Sequence, residues 1–456
     1  MTTPVSKSIL NLALPIFIGQ IAFMANGIID IIMAGHISAV DQAAVGIGMS
    51  VFFSVFVPFM GVLLALSPAV SYHYGANNHA AIGEEMRQGL WLMLFLAAPM
   101  FLLIYFPDPF LRISQLTPEV EAKTRAYLQY SAWGSLAQLL FRVFYGFTTA
   151  ISRPRIVMAL SLFALAIKVP LNFVFMHGYF GFPAMGGVGS AVATMIAVWI
   201  TATLTWYIVW RDTDYRRYQI FVRWSWPKLP EQLYLLKLGV PIGVTFLVDV
   251  TSFTFMALFI ARLGPTASAA HGIATNLAAF SYMLPMSLAL SVSVLIGQAL
   301  GGKDPRLARH TGKVGFVLVA ACANVVAVML VGASSWLSQV YTSDAAVRNL
   351  ATQLLMLVAV YHLFDALLAM GIYALRGYKV VLAPMLVCAV CLWGLGLGGG
   401  WLAGLHGLSW PQSVAPLGVP GFWYSAIVGF ALASLLVAVQ FWHVSGRELD
   451  TLPEKN

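Results

Sequence analysis

The sequence predicts an all-α integral membrane protein, with twelve transmembrane helices forming two six-helix bundles related by a pseudo-twofold axis along the membrane normal. Three observations predict it: too few charges for a soluble surface, apolar runs of bilayer length, and landmarks repeated at a fixed offset. Of 456 residues, 60% are hydrophobic and only 9% charged, whereas a soluble domain carries about a quarter charged residues. The apolar stretches are mostly long enough to cross a hydrocarbon core of roughly 30 Å as a helix. They are continuous, not the short alternating segments of about ten residues that build a transmembrane barrel.

Apolar runs punctuated by Gly, Pro and charge clusters place helices near 9–35, 43–73, 88–107, 124–151, 156–177 and 187–210 in the first half. In the second half they fall near 232–262, 267–300, 312–340, 346–376, 380–404 and 419–444. The first run, from Ile9 to about Ala34, is too long for a signal-peptide core and has no small-residue cleavage site after it. It is expected to remain as the first helix. The organisation is therefore 1–215 as an N-terminal bundle, 216–231 as a cytoplasmic linker and 232–456 as a C-terminal bundle.

Lys and Arg counted over alternate loops set the orientation. One side receives 18 of them, including Arg87, Arg153, Arg211, Arg376 and Lys455, and the other receives 5: Arg112, Lys123, Arg125, Arg262 and Arg348. The bias places both termini in the cytoplasm, which also requires an even number of helices. Because the bases sit in short loops and not on one continuous face, the net charge of +8 reads as a topology signal, and nucleic acid is not an expected partner. The densest basic stretch, Arg211 to Lys228 with Trp224 and Trp226, reads as the linker, with indoles at headgroup level.

An offset of 226 superposes Pro15 on Pro241, Ala43-Ala44 on Ala269-Ala270, Gly46 on Gly272, Met60 on Met286 and Gly75 on Gly301. Six helices per repeat give both halves one orientation and an axis along the membrane normal. Such a pair forms a central cleft able to open to either side, an architecture of carriers.

Five charges remain inside apolar helices: Asp30, Asp249, Asp365, Arg142 and Lys168. Each costs at least roughly 2.5–3.5 kcal/mol at the bilayer centre, so such residues face a polar cavity or a partner. Asp30 follows Asn26 by one turn and Lys168 precedes Asn172 by one turn, with Pro170 between them, so each pair shares a helix face. The four form a polar cluster in the first half. Two roles stay open for it, a structural Asp30–Lys168 salt bridge and a proton-accepting Asp30. In the second half Asp249 has Phe253 one turn on, and Asp365 has Tyr361 one turn before. A buried carboxylate without a base is either protonated or holding a cation, and both states suit a cation-coupled carrier. Asn276 is a further candidate substrate contact. Cys322, Cys388 and Cys391 all lie in apolar runs, and an odd number supplies no disulfide framework. Cys388-x-x-Cys391 has the spacing of half a zinc site without a second half, and reads as helix packing.

Leu14-Pro15-Ile16 through Asp30 to Met33-Ala34-Gly35, followed by Ala43-Ala44-Val45, resembles the first helix of the multidrug and toxic compound extrusion (MATE) family, NorM-type branch. Further matching stretches are Arg153-Pro154-Arg155, Val169-Pro170-Leu171-Asn172, Gly181-Phe182-Pro183, Ala269-Ala270-His271, Pro285-Met286-Ser287 and Leu375-Arg376-Gly377-Tyr378-Lys379. The resemblance implies an antiporter, not an enzyme, that exchanges small cationic, amphipathic drugs outward for Na⁺ or H⁺ inward. It implies no prosthetic cofactor, and a monomer among the lipids of the bacterial inner membrane. It assigns Asp30 as the first-half acid with Asn172 and Thr194 beside it, and Asp365 with Tyr361 as the second-half cation site. Asp249 stands where the branch usually carries glutamate. Asp249, Tyr361 and Asp365 would be the Na⁺ ligands if Na⁺ is the coupling ion, and Asp249, Phe253, Asp365, Tyr361 and Asn276 the substrate contacts. Lys168 departs from the branch's usual asparagine, and its ammonium would occupy the place of a cation beside Asp30. Gly272 likewise replaces a glutamine. Two other readings are weighed: a lipid-linked saccharide flippase, which would line its cleft with several bases, and a membrane-embedded prenyltransferase, which would need closely spaced aspartates for Mg²⁺ and diphosphate.

Overall fold

The computed structural model describes residues 4–114, 116–223, 225–407 and 415–450, which are helical throughout their ordered elements and contain no strand. The expected interfacial Trp224 and the terminal Lys455 lie outside the described residues. The elements are α1 (Val5–Gly35), α2 (Ala39–Leu63), α3 (Leu66–Gly75), α4 (His79–Tyr105), α5 (Asp108–Ser114), α6 (Pro118–Ala150), α7 (Pro154–His177), α8 (Val188–Arg211) and α9 (Thr213–Arg216). They continue as α10 (Leu229–Ala261), α11 (Pro265–Gly301), α12 (Pro305–Tyr341), α13 (Ala345–Gly377), α14 (Leu382–Cys388), α15 (Gly399–Trp401) and α16 (Val419–Asp450).

Helices occupy all twelve expected stretches. Eleven of the resulting spans are long and apolar enough to cross a membrane on those grounds alone. The twelfth, α6, is 33 residues long, about 50 Å at 1.5 Å per residue. Its interior Gln129, Gln138 and Arg142 lower its apolarity below that of the others.

Three departures from the expected boundaries have a local reason, while α6, α12 and α16 simply run further than expected, α6 and α12 starting at Pro118 and Pro305 and α16 ending at Asp450. The expected helix 43–73 is broken into α2 and α3, because Pro68 has no N–H for the Leu64 carbonyl and the ladder tightens there into three-residue steps. The expected helix 88–107 begins instead at His79, where the Asn78 side chain accepts from the Ala81 N–H at 3.1 Å. Glu84, Glu85 and Arg87 therefore ride on the end of a helix and not in a loop. The expected helix 380–404 is α-helical only over α14 and α15, with wider π-helical turns at Ala389–Gly398 and Leu402–His406. The run is rich in glycine, and π turns of this kind gather at functional positions.

The chain forms two compact units, Leu14–Gly243 and Met1–Ala13 with Val244–Asn456, the boundary falling inside α10. In the first unit α6 packs against α2, α4 and α8, and α7 lies along α8. At the α7–α8 contact a Cβ on Gly189 would stand 2.6 Å from the Phe175 backbone, so only glycine lets the two helices approach there. In the second unit α13 packs against α11, α12 and α16. Several hydroxyls inside these spans return to their own helix, as Thr201 Oγ1 to Ala197 O at 2.7 Å and Ser291 Oγ to Ser287 O at 2.9 Å. That satisfies groups for which a hydrocarbon surrounding offers no partner.

Candidate functional site

Each unit holds a cavity among its spans, with charged side chains set in a mostly apolar wall. The first-unit cavity, about 140 Å³, is bounded by α1, α2, α6, α7 and α8 and lined by Asp30, Lys168, Thr194, Tyr127, Arg142 and aromatic residues such as Phe53. The i, i+4 spacing on α1 and α7 turns two polar pairs toward each other. Lys168 Nζ donates to Asp30 Oδ2 at 2.7 Å and to the Asn26 carbonyl at 3.1 Å. Asn172 Nδ2 donates to Asp30 Oδ1 at 2.8 Å. Both carboxylate oxygens are thereby engaged, and the Asp30 and Lys168 side chains are only 3% and 4% exposed. The Asn26 amide turns back to the Ala22 carbonyl at 2.8 Å, so Asn26 contributes its backbone to the cluster. Arg142 lies in this unit, its guanidinium 5.1 Å over the Phe23 ring and 5.4 Å over Tyr145, a geometry in which ring quadrupoles stabilise a cation.

The second-unit cavity is smaller, about 40 Å³, and is lined by Asp249, Asp365, Tyr282, Tyr373, Arg376 and Cys388, among others. Asp249 comes from α10, Asp365 and Arg376 from α13, Tyr282 from α11 and Cys388 from α14. The structure thus brings together the two acids that the sequence places on separate helices. Arg376 was missed as a cavity residue because it stands beside a loop in the chain. It is 5% exposed and lies over Tyr373 at 4.3 Å and Phe246 at 5.3 Å, which holds the guanidinium within the wall. The π-helical turn beside Asp249 is pinned by Trp393, whose Nε1 donates to the Val248 carbonyl at 3.1 Å.

Tyr361 and Phe253 do not line this cavity. They meet each other at 5.9 Å in an aromatic cluster with Trp423 and Phe430, and Phe430 forms part of the cavity wall. The proposed Na⁺ ligands are accordingly divided between the cavity and its aromatic backing. Asn276 is exposed, and its amide donates to the Gly272 carbonyl at 2.9 Å. Among the described residues no three His, Cys, Asp or Glu side chains converge on a metal position. Cys388 and Cys391 are buried free thiols.

Two intramembrane cavities bearing acids, in two helical units of one repeated pattern, define the class as a polytopic membrane carrier. A family model described as MatE matches residues 15–174 and 241–402, and its two matches begin 226 residues apart (241 − 15). A probable multidrug resistance protein NorM of Aromatoleum aromaticum is 38% identical, over 93% of this chain and 91% of its own. The protein of the same name from Chromobacterium violaceum is 36% identical over 97% and 95%. Among solved structures, a eukaryotic MATE transporter, AtDTX14, superposes with a TM-score of 0.87 at 18% identity, covering 98% of each chain. The Vibrio cholerae MATE transporter VcmN in its bent form gives 0.83 at 18% identity, covering 97% of this chain and 98% of its own. The chain belongs to the MATE family and is of the NorM type.

Proposed function

We propose that this chain is a multidrug efflux antiporter of the inner membrane, exporting small amphipathic organic cations in exchange for Na⁺ or H⁺ by alternating access. The observation that carries the reading is the pair Asp249 and Asp365 on one cavity of the second unit. The names of the NorM relatives support multidrug export. A drug cation and a coupling cation would compete for the same carboxylates, and reciprocal displacement is the coupling. Asp30, by contrast, already holds the Lys168 ammonium at 2.7 Å, so the second unit carries the coupling charge. Of the two bases on the first-unit cavity, Lys168 is balanced by Asp30, and the several unbalanced bases wanted for a saccharide diphosphate are not assembled there.

The test is transport. Asp365→Asn is expected to abolish efflux of a cationic dye while the protein is still made and inserted. Export at the wild-type rate by that variant removes the mechanism. In proteoliposomes, an imposed Na⁺ gradient followed by a pH gradient identifies the coupling ion, and failure of both to drive exchange refutes antiport.

A further inference from the structure

We propose that residues 212–223 and 225–228, between α8 and α10, form a rigid platform that binds anionic phospholipid headgroups. The segment is not a loose tether. Tyr215, Tyr218 and Ile220 are buried as pegs. Arg87 on α4 donates to the Gln219 carbonyl at 2.9 Å and to Ser225 Oγ at 3.0 Å. Trp91 Nε1 donates to the Ser225 carbonyl at 2.9 Å, and Gln88 Nε2 to the Trp226 carbonyl at 3.0 Å. A Cβ on Gly83 would stand 2.0 Å from the Tyr218 carbonyl oxygen, so the segment lies directly on the α4 backbone.

With the backbone held on that side, a set of the described side chains faces outward. Phe221, Val222 and Trp226 are exposed, the last two by 73% and 72%, alongside the exposed Arg216, Arg217 and Arg223. The acids of the segment are already used, since Asp212 and Asp214 both pair with Arg153. The Lys228 ammonium is likewise taken by Glu84 at 3.0 Å. What faces out is therefore three bases interleaved with an indole and two apolar side chains, fixed at the ends of the spanning helices α4, α8 and α10. That composition matches the headgroup layer, where aromatic rings settle and bases meet anionic lipid. Trp226 stacks on Trp91 at 6.0 Å and Phe221 meets Trp206 at 5.7 Å, while a soluble acidic partner would leave Val222 without an apolar environment.

The experiment is lipid retention by the full-length, delipidated protein in detergent, read by native mass spectrometry, with phosphatidylglycerol and phosphatidylcholine as probes. The expected result is a preference for phosphatidylglycerol that falls in the triple variant R216Q/R217Q/R223Q. At about fivefold per base, the loss at the strongest site is on the order of a hundredfold. R306Q/R309Q, in the first turns of α12, is expected to retain the preference and so controls for general loss of charge. Soluble glycerol phosphate at equal concentration is expected to displace none of the lipid. Equal retention of both lipids, an unchanged preference in the triple variant, or full displacement by glycerol phosphate would each overturn the platform. None of these readouts depends on transport, so the antiport reading stands or falls separately.

Discussion

Removing the ammonium from the Asp30–Lys168 pair, by Lys168→Met, is the sharpest perturbation the structure offers. The pair is 2.7 Å long, and its side chains are 3% and 4% exposed. Its Coulomb energy is about 6 kcal/mol at an effective dielectric constant of about 20. Much of that offsets the cost of burying two charges, but removing one partner leaves the other uncompensated, which costs about 3–5 kcal/mol. Asn172 still donates to Asp30 Oδ1 at 2.8 Å, which keeps the loss toward the lower end. For a unit of some 230 residues each kcal/mol moves the midpoint by about 2–4 °C, so the melting temperature should fall by roughly 10 °C. The double variant D30N/K168M removes both charges and should recover most of the loss, giving a coupling energy of about 3 kcal/mol in the cycle. Circular dichroism in detergent follows the whole chain. A thiol-reactive dye reports the second unit alone, since Cys322, Cys388 and Cys391 all belong to it. A single variant that costs less than about 1 kcal/mol, or a double variant no better than the single, would refute a buried, mutually dependent pair.

Substitutions at two further positions test the first unit's construction. Gly83→Ala places a methyl group against the Tyr218 carbonyl and should cost about 1–3 kcal/mol through overpacking, with faster hydrogen exchange over residues 216–228; unchanged exchange there would contradict a clamped segment. Asp41 is buried at the start of α2, where it accepts from Ser38 Oγ at 2.6 Å, from the Gly187 N–H at 2.8 Å and from Lys123 at 2.9 Å. Asp41→Ala should cost about 2–3 kcal/mol in thermal unfolding, and Asp41→Asn, which can still accept from Gly187, about half of that.

The sequence was most informative where one signal ran along one element. Bilayer-length apolar runs located every span, and the one-turn spacing of Lys168 with Asn172 matches the way both side chains reach Asp30, whereas Asn26 turns its amide back to Ala22. Signals that depend on two elements meeting were weaker. Arg376 stands next to the connection at Tyr378–Lys379 and so counts as a topology charge. Only the packing of α13 against α10 and α11 buries it between Tyr373 and Phe246 on the wall shared with Asp249 and Asp365. Tyr361 illustrates the converse. One turn from Asp365 places it on nearly the same helix face, yet a large ring has a better destination among Phe253, Trp423 and Phe430, where it gains edge-to-face contact. The glycine-rich run from Gly394 to Gly404 gave the length of its span but not its π-helical turns, because an apolar run without polar residues carries no periodicity to read.

The repeat explains why the two units share a backbone and yet differ in charge. The two family matches are offset by 226 residues at their starts and by 228 at their ends (402 − 174). Advancing Asp30 by 226 reaches Met256, and advancing Lys168 reaches Gly394; moving Asp249 back reaches Phe23, and Asp365 reaches Leu139. A drift of two residues does not change the outcome, since the residues around 394–396 and 137–139 are also uncharged. Landmarks that shape the chain, such as Pro15 and Pro241, persist in both copies, while every intramembrane charge belongs to one copy alone. Backbone geometry tolerates little change, because a misplaced proline or glycine forfeits helix hydrogen bonds inside the bilayer. A charge needs only a cavity and a balancing partner. The first copy supplies that partner from its own chain as Lys168, which engages Asp30 at 2.7 Å. The second copy gathers two acids on one wall with Arg376 among the described lining residues, an arrangement that the proposed exchange of cations would use.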